Sequence, residues 1–193
     1  MVILALGLLI FLGLHSIRIV SEEGRARAIA RIGEGPWKGA YSLLSFVGFA
    51  LILRGFARAR QDAPQLWLPP PGMGHLALLS MLAAMLLLGG YGFKTSHIAV
   101  AVHHPMLWAV VVWSATHLLV NGSAADALLF GAFFIWSVAD LAAAYARDRR
   151  RGAVYPAPVW SATAGAVLAG LALYAILLGG LHLWLFGVSP LAM

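Results

Sequence analysis

The stretch HHPMLWAVVVWSATHLLVNGSAADALLFGAFFIWSVAD, residues 103–140, decides the fold. It holds two apolar runs, 104–121 and a second that continues to about residue 146, joined by little more than Gly122 and Ser123. Each run approaches the roughly 20 residues that a helix needs to cross a bilayer core. A connection this short suits adjacent antiparallel helices. The first run also carries His103, His104, Ser114, His117 and Asn121. Polar groups at membrane depth are costly and are kept where they pair, ligate or line a cavity. The stretch therefore predicts both a membrane hairpin and a candidate site.

Composition extends that reading to the whole chain. The 193 residues are 62% hydrophobic and only 10% charged, with a mean hydropathy of +0.88, far from the globular norm of about one quarter charged. Apolar runs bounded by charge predict an all-α integral membrane bundle of about six transmembrane helices, at roughly 1–19, 39–57, 74–93, 104–121, 124–146 and 158–187. No polar linker or repeat divides it, so residues 1–193 read as a single membrane domain. The opening MVILALGLLIFLGL lacks a basic leader region and a small-residue cleavage site, which predicts a retained helix beginning at Met1. With no cysteine, disulfides and thiolate ligands are excluded, and any transition-metal site has to use histidine.

Lys and Arg near the span ends predict the orientation. One side receives Arg18, Arg25, Arg27, Arg31, Lys38, Lys94, Arg147, Arg149, Arg150 and Arg151, and the other Arg54, Arg58 and Arg60: ten against three. Both termini then lie outside, which for a bacterial inner membrane means the periplasm. The net charge of +6 reads as topology and attraction to anionic lipid in the bilayer. Nucleic acid is excluded as a partner, because the cations are dispersed over three loops without interleaved aromatics. In the last span, Ser161, Gly165 and Ala169, with Ala162, Ala166 and Gly170, form small-residue stripes suited to an internal contact or a homodimer.

On this map His15, His97, His103 and His104 fall towards the cytoplasmic ends, and His75, His117 and His182 towards the outer ends. His104 and His117 stand about 140° apart in azimuth and about 20 Å apart along one helix, so they cannot share a metal. His117 shares a face with Trp113, Ser114 and Asn121. His75 suits a wetted, interfacial role as well as it suits ligation, whereas His182 near a helix end favours the interfacial role and His97 and His103, in or beside a loop, favour solvated ones. His15 and His117 lie deeper, where a neutral imidazole needs a hydrogen-bond partner or a metal. Asp140 is placed to pair with Arg147. For a thiol-free bundle, haem iron is one natural answer and zinc is its competitor, although zinc would want three or four converging ligands and no compact set is present; single histidines on different helices have no spacing that decides between them.

The order of FLGLHSIR at 11–18, LWLPPPG at 66–72 followed by His75, HPMLW and WSATHLLVNG within 104–122, and LLFGAFFIW at 128–136 resembles the NnrU family over residues 1 to about 150. That resemblance implies a membrane protein associated with nitrite and nitric oxide reduction, related to the 15-cis-ζ-carotene isomerases. It implies His15 and His117 as ligands of haem b. Where the isomerases have a cysteine, this chain has Ser114, so a thiolate switch does not carry over. The chain also reads His103-His104-Pro105 and Asn121-Gly122-Ser123 where the family commonly has R-H-P and N-G-D.

Ideal six-span depths disagree with the implied pair. They place His15 near the cytoplasmic end and His117 near the outer end, pairing His15 with His104, and His117 with His75 or His182. His117, His15, His75 and His104 are thus the candidate ligands, with Ser114 and Asn121 lining the site. Two functions follow from the resemblance: a haem-binding accessory or NO sensor, or an isomerase of a hydrophobic polyene. A haem-free scaffold is the third.

Overall fold

The computed structural model describes residues 1–191. Its helices are α1 (Val2–His15), α2 (Ile17–Val20), α3 (Glu22–Ile32), α4 (Glu34–Asp62), α5 (Met73–Gly92), α6 (His97–Val102), α7 (Pro105–Val120), α8 (Ala124–Arg151) and α9 (Trp160–Ile176), with a π-helical turn (Leu177–Leu181) leading into α10 (His182–Phe186). No strand occurs among the described residues. Among the described residues, four segments are long and apolar enough to cross a membrane: α4, α5, α8 and the run Trp160–Phe186. The other two apolar helices are shorter, 14 residues in α1 and 16 in α7.

The first span predicted at 1–19 is thus two helices. At Ser16 the hydroxyl donates to Leu12 O at 2.7 Å and the backbone N–H is shared between Leu12 O and Gly13 O, which tightens the turn before α2 resumes. The stretch read as a loop, 20–38, contains α3. Its start is set by Ser21, whose hydroxyl accepts from Gly24 N–H at 2.9 Å, and by Glu22 and Glu23 in the first turn, a cap and charge pattern that favours a helix N-terminus.

Packing runs in a file, α4 on α1, α1 on α8, α8 on α7, α7 on α5 and α5 on α9, with α4 also touching α8. Glycine lets the first pair approach closely. A Cβ on Gly7 would stand 2.6 Å from Ile52 N, one on Gly48 would stand 2.9 Å from Phe11 N, and one on Gly55 would collide with Leu4 backbone. In lipid such backbone proximity supplies the dispersion contacts that a hydrophobic driving force would supply in water. Leu4, Leu8 and Leu12, at four-residue spacing, are buried against Ile52 and Ala59 of α4 and Leu129 and Phe130 of α8. The small-residue stripe in α9 is used internally: Ala166 and Gly170 pack on Met85, Leu86 and Gly89 of α5.

Both ends of the bundle are tied. At the α7–α8 turn, Leu66 N–H donates to Gly122 O at 2.7 Å and Ala124 N–H donates to Pro64 O at 2.9 Å, so residues 64–67 roof the hairpin. Ser123 and Asp126 form a capping box that starts α8. A kink at Gly180 (φ +134°) redirects the chain, and Arg60 of α4 donates to Phe186 O at 2.6 Å. At the opposite, basic end, Arg151 meets Glu22 at 2.6 Å.

Candidate functional site

The two deeper histidines are held in the same way. His15 Nδ1 lies 2.6 Å from Phe11 O, and His117 Nδ1 lies 2.9 Å from Trp113 O. A carbonyl only accepts, so Nδ1 carries the proton in each ring, and in the neutral imidazole Nε2 keeps its lone pair. This fixed tautomer is the one a metal-ligating histidine uses, with the second nitrogen oriented by a backbone carbonyl. The donor chemistry of each ring therefore fits an iron ligand.

The geometry of the pair does not place them on one iron as packed. His15 sits edge-on to Trp136 of α8 (6.2 Å between centroids, 90°), whereas His117 packs on Phe130 of α8 at 4.7 Å. Six residues of helix separate those two levels, about 9 Å of rise, while axial nitrogens on one iron stand only about 4 Å apart. Aromatic rings fill the interval. Phe11 stacks on His15 at 4.2 Å, Phe11 meets Phe133 at 6.1 Å, Phe133 meets Trp113 at 5.4 Å, and Trp113 meets His117 at 5.4 Å. A macrocycle between the two histidines has to displace these rings. Trp136 Nε1, beside His15, is buried without a hydrogen-bond partner, an arrangement that costs about 1–3 kcal/mol unless a polar group meets it.

The depth expectation is corrected by the length of α8. That helix continues fifteen residues past Trp136 to Arg151, about 22 Å, so α8 reaches well beyond His15, which closes α1 and lines the cleft beside Arg18, Arg25 and Lys38. His104 lies lower, against Tyr145, with Nε2 2.6 Å from Asp148 Oδ2. The predicted His15–His104 pairing is thus replaced by a His104–Asp148 pair, and His15 is nearer in depth to His117.

The remaining candidates have local partners. Ser114 is fully buried and donates to Val110 O at 2.6 Å, turning its hydroxyl back onto its own helix. Asn121 Nδ2 donates to His117 O at 2.9 Å, satisfying a carbonyl at the end of α7. His75 is exposed in the first turn of α5. His182 Nδ1–H donates to Val188 O at 2.7 Å. Arg147 meets Asp140 at 3.4 Å, the pairing expected from the sequence. Among the described residues no group of three or more His, Asp or Glu side chains gathers to hold a metal.

A polar cluster at the basic end had not been foreseen. Tyr155 donates to Asp148, the same carboxylate that meets His104. Tyr155 stacks on His103 at 3.6 Å, and Tyr145 donates to Val102 O at 2.7 Å while accepting from Trp108 Nε1 at 3.0 Å. His103 has φ +56° and ψ −41°, and His104 N–H reaches Val102 O at 2.6 Å, a strained γ-turn rarely adopted by a non-glycine residue. Pro105 opens α7 as its first residue, which keeps His104 out of the helical region. Burial, followed by the hydrogen bond to Asp148, pushes Tyr155, in the segment after α8, up to about 12.

Residues 3–190 match the family model described as NnrU protein. No curated protein and no solved structure matches the chain.

Proposed function

We propose, from the premise that this chain belongs to the NnrU family, that it is a six-span protein of the bacterial inner membrane that binds haem b through His117. In this reading α1 with α2, and α7, cross the bilayer beside the four longer segments, and the basic end faces the cytoplasm. The observation that carries the haem reading is the pair of interior histidines whose Nδ1–H is donated to their own helices, leaving Nε2 available. Haem supplies an iron that binds diatomic molecules and exchanges electrons. The chain's residues do the rest: Trp113 O fixes the His117 tautomer, Asn121 anchors the end of α7, and Trp113 and Phe130 pack against the His117 ring. His15, implied as the second ligand by resemblance, stands too far along the bundle to share that iron while Phe11, Phe133 and Trp113 keep their places. A haem held by His117 alone would be able to bind NO, which favours an accessory or sensor role in nitrite and nitric oxide reduction.

The isomerase reading ranks second. It ranks behind because Ser114 stands where the isomerases that the chain resembles have a cysteine. The two readings are separated by adding NO to the reduced, haem-loaded protein and, in parallel, co-expressing the chain with a pathway that makes 9,15,9′-tri-cis-ζ-carotene. A shift of the haem spectrum with NO and no 15-trans product supports the sensor. Efficient conversion to the 15-trans isomer reverses the ranking.

A further inference from the structure

A cleft of about 210 Å³ opens at the basic end between α1, α2, α3 and the start of α4. His15 lines its inner part, and Arg18, Arg25, Lys38, Trp37 and Tyr41 line the rest; no acidic residue does. Two of the cations have carboxylates nearby: Lys38 meets Glu34 at 2.8 Å, and Arg18 meets Glu22 at 3.5 Å, where Glu22 is held more closely by Arg151. Arg25 has no ion-pair partner among the described residues, although its field reaches Glu34. The cleft thus presents a cation with no ion pair, two more within reach, and two aromatic side chains of the kind that settle at headgroup level.

Directly beyond Tyr41 along α4 the surface changes character. Leu43, Leu44, Phe46 and Val47 are exposed, at 64%, 48%, 70% and 41%. A cationic hollow continuous with an apolar ridge matches an amphiphile with an anionic head and hydrocarbon tails. We propose that this cleft is a binding site for the phosphate head of an acidic phospholipid, with Arg25 and Lys38 on the phosphate and an acyl chain along Leu43, Phe46 and Val47. The positions fit a lipid of the leaflet at the basic end of the bundle, where each juxtamembrane cation contributes attraction to anionic headgroups. The site does not depend on haem.

Native mass spectrometry of the full chain in mild detergent tests the proposal, with phosphatidylglycerol and phosphatidylcholine of the same acyl chains as the two probes. One phosphatidylglycerol is expected to remain bound where phosphatidylcholine does not. Arg25→Gln with Lys38→Gln is expected to weaken retention on the order of tenfold or more, while the charge-keeping pair Arg25→Lys with Lys38→Arg retains it and controls for folding. Arg58→Gln, at the other end of α4, is expected to change nothing. Equal retention of the two lipids, equal retention by the glutamine variant, or displacement of the lipid by millimolar inorganic phosphate would each overturn the proposal, the last by assigning the site to a free anion.

Discussion

A backbone carbonyl has no proton to give, and that fact at Phe11 and Trp113 decides what His15 and His117 can offer. The pattern of histidine four residues after an aromatic was visible in the sequence, but nothing there distinguished a ring bonded to its own helix from one bonded across the bundle. The Asp148 cluster was less legible still, since His104, Asp148 and Tyr155 are brought together only by tertiary packing. Its pH behaviour follows from sign. Tyr155 is raised to about 12, so its contribution is complete below about pH 10 and is lost as pH rises through about 12. Tyr155→Phe is therefore expected to destabilise the detergent-solubilised protein by about 1 kcal/mol at neutral pH. Thermal unfolding midpoints at pH 7 check this: the variant should melt below wild type, and equal midpoints would dissociate Tyr155 from the Asp148 carboxylate.

At the scale of elements, the central membrane runs were readable because lipid demands long apolar segments bounded by charge, and α5, α7 and α8 lie close to where those bounds placed them. The errors came where local hydrogen bonding matters more than hydropathy. Ser16 divides the first run, and the Ser21 cap makes a helix of what read as a loop. Ser123 and Asp126 form a capping box that is present in the sequence as S-x-x-D. Removing the cap by Ser123→Ala should cost about 1 kcal/mol, read as a lower unfolding midpoint with unchanged helix content at low temperature. The contact between α1 and α4 is more demanding. Gly7→Leu would drive a side chain into Ile52 and Leu51 backbone, and an overpacking cost of about 1–3 kcal/mol or more is expected. Gly13→Leu, where nothing lies within 4 Å of an added Cβ, should be tolerated. Equal midpoints for the two variants would mean that α1 and α4 do not approach as closely as described.

Over the whole molecule, depth was the quantity the sequence conveyed worst. Counting residues from each span end assumes equal spans starting at common planes, whereas α8 extends about 22 Å beyond the level of His15 to Arg151 and residues 64–67 roof the turn above His117. The proposed topology predicts that a reporter fused after residue 152 is active only in the cytoplasm and one at the C-terminus only outside it; the opposite pattern would invert the bundle while leaving the relative depths of the histidines intact. The central claim is that His117 holds haem b and that His15 stands apart from the same iron. Its most direct test is the dithionite-reduced absorption spectrum, with haem content per chain, of wild type, His117→Ala and His15→Ala purified in parallel. The account predicts a high-spin b-type spectrum in wild type, retained in His15→Ala and lost in His117→Ala with helix content preserved; unchanged haem in His117→Ala, or no haem in fully loaded wild-type protein, would contradict it.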